Sequence, residues 1–240
     1  MSRLNKACSL LLLLLPCAAM AQGLEGSDQL IVVTSQRWDD TQGIAQRYER
    51  HGNAFEKHAA AFAVVLGKNG MGWGKGLVDP ANLQGPVKQE GDGKAPAGVF
   101  KLGTAFGYDP TAHTRLPYLA LTPSIECVDD SQSARYNTLL DGSTIARDWN
   151  SSEHMRRQDE LYRQGIFIEH NTPASPAAGS CIFFHIWRGP TMPTRGCTAM
   201  APADIAELFS WLDPRRNPLL VQLPEAEYDR LRERWKLPER

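Results

Sequence analysis

Between Phe183 and Met200 the sequence FFHIWRGPTMPTRGCTAM places His185 at the end of an apolar run and Cys197 twelve residues later, across a loop rich in Pro, Gly and Thr. An imidazole near a thiol is the minimal set for nucleophilic acyl chemistry: the ring takes the thiol proton and the thiolate attacks a carbonyl carbon. Gly196, directly before the cysteine, permits close backbone approach of a substrate, and a helix from Ala201 would aim amides at developing negative charge. Two other readings fit the same residues. A cysteine in an oxidising compartment is commonly half of a disulfide. Cys181, His185, Cys197 and His170 also have the residue types of a zinc site, although no CxxC or HExxH element is present.

Such a pair needs a rigid frame. IFIEH (Ile166–His170) and CIFFHIW (Cys181–Trp187) read as buried strands, and period-two alternation predicts that Cys181 and His185 share a face. LIVVT (Leu30–Thr34) and Leu219–Leu223 read as further strands, while the glycine-broken runs in AFAVVLGKNGMGWGKGL and DGKAPAGVFKLGTAFGY suit strands and tight turns. Four segments read otherwise. Asp40–His51 suits a polar helix or turn, and Asn150–Arg163 a capped helix, with Glu153 three places after Asn150. Ala201–Leu212, with Pro202 in its first turn and apolar residues at Ile205, Leu208, Phe209 and Leu212, predicts a helix, as does the charged amphipathic run Glu225–Trp235. The expectation is one mainly β domain over residues 22–240, with a few peripheral helices and one of them C-terminal.

Composition excludes several classes. The chain has 240 residues, 42% hydrophobic and 22% charged, without repeats or low-complexity blocks, so collagen-like, coiled-coil and disordered readings have no support. Its formal net charge of -1 gives no reason to expect nucleic acid as a partner. Residues 1–21 carry Arg3 and Lys6, an apolar run from Leu10 to Leu15, and Ala19 and Ala21 at the end, which predicts a secretory signal peptide cleaved after Ala21. The run is too short to span a membrane, and Pro16 argues against a lipid anchor on Cys17. Cleavage leaves Cys127, Cys181 and Cys197 in an oxidising compartment, which suggests one pair and one free thiol.

TRGCTAM with an upstream strand histidine, together with DGKAPAGVF, resembles the L,D-transpeptidase catalytic domain (YkuD-type), whose members carry a T-P-x-G-x-F hairpin and an S/T-x-G-C loop. The resemblance extends roughly from Leu30 to Leu223 and implies a β-sandwich or barrel. It implies that Cys197 is the nucleophile and His185 the base, that the Gly196 and Cys197 amides form the oxyanion hole, and that the Thr194 carbonyl orients the base. It further implies a periplasmic enzyme that needs no cofactor or metal. This enzyme would form a thioester with a peptidoglycan stem peptide and pass the acyl group to water or to an amine on a second stem or a wall-linked protein. A hydrolase of the same fold (L,D-carboxypeptidase, endopeptidase or amidase) and a non-catalytic peptidoglycan-binding module are the alternatives. With Cys197 so assigned, Cys127 and Cys181 remain as the disulfide pair. The chain departs from the family pattern at Ala95, where the hairpin has Thr, and at Ala199, where Arg is usual. Arg195 or Arg188 is the candidate replacement cation for a stem-peptide carboxylate, and His170 a further candidate for the same pocket.

Overall fold

The computed structural model describes residues 23–240, so the expected signal peptide, 1–21, lies outside the described residues. In chain order the strands are β1 (Gln29–Ser35), β2 (Gln42–His51), β3 (Ala54–Val65), β4 (Met71–Trp73), β5 (Ala95–Gly107), β6 (Tyr118–Ala120), β7 (Ile125–Val128), β8 (Leu139–Asp141), β9 (Ser152–His154), β10 (Gln164–Ile168), β11 (Phe183–Ile186), β12 (Thr198–Met200) and β13 (Leu219–Pro224). Two helices follow β12 and β13 respectively, α1 (Pro202–Trp211) and α2 (Glu225–Trp235). The order β1-β2-β3-β12-β11-β10-β5-β13 returns from β13 to β1, so the sheet closes into a barrel with no free path end. β4 and β6 pair alongside β5. The three-stranded sheet β8-β7-β9 is inserted between β6 and β10 and forms a cap.

β-branched and aliphatic residues make the frame. Leu30 to Val33 of β1 and Leu219 to Val221 of β13 are all buried, on both faces of their strands. This double burial is possible because α2 packs against β1 and β13 through Tyr228, Leu231 and Trp235. Glu225 and Glu227 lie in the first turn of α2, where carboxylates offset the helix dipole, and the helix stops at Lys236 in the left-handed conformation. Pro202 opens α1, which buries Ile205, Leu208 and Phe209 and packs against β10 and β11. Among the described residues no helix is long and apolar enough to cross a membrane.

Two expectations are corrected. Asp40–His51 contains not a helix but β2, laddered to β1 and β3. A register shift between Ala45 and Arg47, opposite Ala59 at φ 59°, breaks the alternation and hides the strand period from the sequence. Asn150–Arg163 is not a capped helix either. Asn150 hydrogen-bonds Asp130 through its N–H (2.8 Å) and side chain (3.2 Å), Ser151 donates to Asp129 (2.6 Å), and Ser152–His154 pairs with β7. Partners distant in sequence take the groups that would have capped a helix.

The cap is fastened to the barrel at several points. A disulfide joins Cys127 on β7 to Cys181 just before β11, with Cα atoms 6.0 Å apart. Asn137, left-handed at φ 58°, donates from Nδ2 to the carbonyls of His170 (2.8 Å) and Asn171 (2.9 Å) and accepts the Cys181 N–H at Oδ1 (3.0 Å). Asn137→Ala removes three hydrogen bonds and forces a Cβ-bearing residue without a polar side chain to keep φ positive. It is expected to cost about 3 kcal/mol, measured by urea unfolding.

Candidate active site

β11 and β12 run parallel, with His185 opposite Ala199 and Phe184 opposite Thr198. Phe184 and Ile186 belong to the main barrel core, whereas Phe183 joins a second apolar cluster with Cys197, Cys181, Cys127 and Tyr162. By alternation His185 and Cys197 therefore lie on the Phe183 face, as diagonal neighbours across the two strands. Both are nearly inaccessible to solvent, at 6% and 8% exposure.

The loop that delivers Cys197 is built by Thr194. Its hydroxyl donates to the Cys197 carbonyl (2.6 Å) and accepts the Gly196 N–H (3.0 Å), while its N–H and carbonyl bond Leu66 and Lys68 (both 2.8 Å). Gly196 adopts φ 151°, and a Cβ there would lie 3.1 Å from the Lys94 carbonyl oxygen, so glycine is required for the turn. Two expected roles change. The Gly196 amide is committed to Thr194 rather than pointing at a substrate, and the Thr194 carbonyl serves Lys68, not the histidine.

The histidine is oriented by its own strand. His185 Nδ1 lies 2.7 Å from the Ile186 carbonyl oxygen. Because a carbonyl only accepts, Nδ1 carries the proton and Nε2 keeps the lone pair that a general base needs. The Cys197 thiol donates to the Cys181 carbonyl (3.6 Å) and accepts the Phe183 N–H (3.4 Å); among the described residues no hydrogen bond joins it to His185. Burial pushes the thiol up to about 12, with the Glu153 charge adding to the shift, and burial also holds His185 down at about 4. Thiol and imidazole are both neutral at pH 7.

The remaining candidates lie at different distances from this centre. His170 is buried beside Phe100, accepting the Lys75 N–H at Nδ1 (3.2 Å) and donating from Nε2 to the Ala178 carbonyl (3.0 Å). Both of its ring nitrogens are therefore engaged by backbone, and neither is free for a substrate. Cys181 has φ 55° and precedes β11, so alternation does not relate it to His185. Its sulfur is bonded to Cys127, and among the described residues no three His, Cys, Asp or Glu side chains converge as metal ligands. Arg195 is exposed on the loop before Cys197, and Arg188, also exposed, lies 3.8 Å from Asp159. Ala199 is fully buried opposite His185, a position with no solvent-facing room for the usual arginine.

Sequence reasoning missed the aromatic wall. Tyr162 packs edge-on against His185 (5.2 Å) and Phe183 (5.6 Å), and its hydroxyl donates to Glu153 Oε1 (2.6 Å). Reading 150–163 as a capped helix hid both residues, and no local pattern marks them.

His185 and His170, each held near 4 by burial, carry a pH signature. The unfolded chain binds protons at imidazoles that the fold keeps neutral. Stability is therefore full above about 6.5 and is lost as pH falls toward 4. At pH 5 each histidine is expected to cost about 2 kcal/mol. Urea unfolding at pH 7 and pH 5 measures the loss, and His170→Gln is expected to show a correspondingly smaller pH dependence.

The family model of the YkuD L,D-transpeptidase catalytic domain matches residues 39–221, a span that holds β2 to β12, the first half of β13, the cap, Cys197 and His185. Among solved structures, the helical cell shape determining protein Pgp2 from Campylobacter jejuni is similar at a TM-score of 0.42 and 14% identity, over 85% of this chain and 50% of that one. The chain thus spans about half the length of that protein. No curated protein matches. By the extent of the family match, the chain belongs to the L,D-transpeptidase catalytic domain family.

Proposed function

We propose that this protein is an exported, periplasmic cysteine acyl-transfer enzyme acting on peptidoglycan stem peptides. The observation that carries the reading is the placement of Cys197 on one sheet face with His185, whose Nε2 lone pair is left free by the Nδ1 bond to Ile186. On substrate arrival Nε2 takes the Cys197 proton and Sγ bonds to the stem-peptide carbonyl carbon. The C–N bond then breaks, and the departing amine leaves with the proton from His185, so a thioester remains. Water or an amine from a second stem or a wall-linked protein attacks that thioester, and its proton passes through His185 back to the thiol. The Cys197 amide is assigned to the oxyanion, since the Gly196 amide is committed to Thr194. Arg195 and Arg188 are assigned to the stem carboxylate.

Incubation with purified muropeptides and product analysis tests this. New cross-links identify transfer, and free D-Ala or shortened stems identify hydrolysis. Binding to sacculi without any product, equal in wild type and Cys197→Ala, would instead mark a non-catalytic module and sink the reading.

A further inference from the structure

Glu153 stands on β9 of the cap, directly opposite Cys127 on β7. Through the disulfide, Cys127 leads to Cys181, whose carbonyl receives the Cys197 thiol, and Tyr162 spans from Glu153 to the His185 ring. One carboxylate is thus linked to both members of the dyad. Its ion pair, to Arg157 Nη1, is a long one, and the charges of Arg195 and Asp129 act on it as well. Arg157 lies 3.8 Å away, but its guanidinium is committed to both oxygens of Asp159 (2.8 Å each) and stands over the Tyr162 ring (5.2 Å). Glu153 Oε1 is taken by Tyr162, while Oε2 has no hydrogen-bond partner among the described residues, and the side chain keeps 31% of its surface exposed. The dyad itself is closed, while the Glu153 side chain stays partly open to solvent.

The groups around Cys197 define what such a ligand must bring. His185 and Tyr162 are neutral and buried; Lys88, also buried, is neutralised by Asp92 (2.6 Å) and the Gln89 carbonyl (2.6 Å); Arg195 is solvated on the loop. Glu153 opposes ionisation of the thiol, second only to burial. A cation seated on Oε2 removes that opposition and gains a charge-assisted hydrogen bond.

We propose that Glu153 is the specificity-determining residue of the site, receiving a primary ammonium group of the acyl donor and so coupling donor recognition to Cys197 reactivity. The proposal rests on the reading of Cys197 as the nucleophile.

Two measurements on the mature protein test it. The first is acylation, followed as a covalent adduct by mass spectrometry, using a stem tetrapeptide with meso-diaminopimelate whose side-chain amine is either free or acetylated. Wild type is expected to acylate the free-amine donor about tenfold faster, the value of one charge-assisted hydrogen bond, and Glu153→Gln to narrow the preference to about twofold. The second is iodoacetamide alkylation of Cys197 against pH. Glu153→Gln is expected to move the profile down by about one pH unit. At neutral pH the rate rises about three- to fourfold, because tenfold more thiolate is partly offset by its lower nucleophilicity. Glu153→Asp, which keeps the charge, is expected to retain the wild-type profile. Equal acylation of the two donors by wild type overturns the proposal without need of any variant, and so does an unchanged alkylation profile in folded Glu153→Gln. If Cys197→Ala keeps full turnover, the nucleophile assignment itself fails; if it is inactive while Glu153→Gln behaves as wild type, only the role of Glu153 fails.

Discussion

Cys197→Ala is expected to abolish the covalent adduct with a stem-peptide donor and to lower turnover by about 10⁶-fold, as loss of a nucleophile from a concerted group does elsewhere. Cys197 is the free cysteine of the described chain, so no other thiol there can substitute for it. The expected behaviour of the resting thiol is equally specific. Burial raises Cys197 to about 12 and lowers His185 to about 4, so both groups rest neutral in the closed site. The pair is therefore not a preformed thiolate–imidazolium. Without substrate, Cys197 is expected to alkylate far more slowly than free cysteine at pH 7.5, with a rate still rising through pH 9. A rate equal to that of free cysteine, with a plateau near neutrality, would show that the ion pair exists at rest. Opening the cap or seating a donor must supply what the closed site withholds, namely polar contact for the thiolate and approach of Nε2 to Sγ.

Removing the bridge by the double replacement Cys127→Ser and Cys181→Ser carries the largest expected loss of stability. The crosslinked residues are 54 apart, and a closed loop of that length removes chain entropy from the unfolded state worth about 4 kcal/mol. For a chain of this size that corresponds to a fall in Tm of roughly 10 °C, measurable by calorimetry. Activity is expected to fall further than stability alone requires, since the Cys181 segment supplies both hydrogen-bond partners of the Cys197 thiol, the Cys181 carbonyl and the Phe183 N–H. A variant with unchanged Tm but lost activity would show the bridge to be a positioning element alone.

Much of this protein is legible where neighbouring residues decide the outcome. β1 and β11 are runs of β-branched and aromatic residues and β13 is leucine-rich, all buried on both faces, and α1 and α2 have capping or dipole signals with a clear apolar stripe. Their identity follows from local propensity and period. β2 was not legible: QGIAQRYERH is polar, and its strand exists through ladders to β1 and β3 across a bulge that no local pattern announces. The 150–163 segment failed for the same reason, with its helix-like cap signals answered by Asp129, Asp130 and β7.

For the site, sequence alone named the pair proposed to react. A histidine closing an apolar strand and a cysteine in TRGC name the chemistry by residue type, and the Gly196 turn is dictated by a backbone conformation that excludes a side chain. What only the tertiary structure decided is how the pair is held and when it can react. The Ile186 carbonyl, one residue on, fixes the histidine tautomer; Tyr162, bonded to Glu153 of the cap, packs edge-on against the ring; and burial sets both groups neutral. Charge state and orientation arise from desolvation and from contacts between residues far apart in the chain, and those quantities come into being only when the barrel closes.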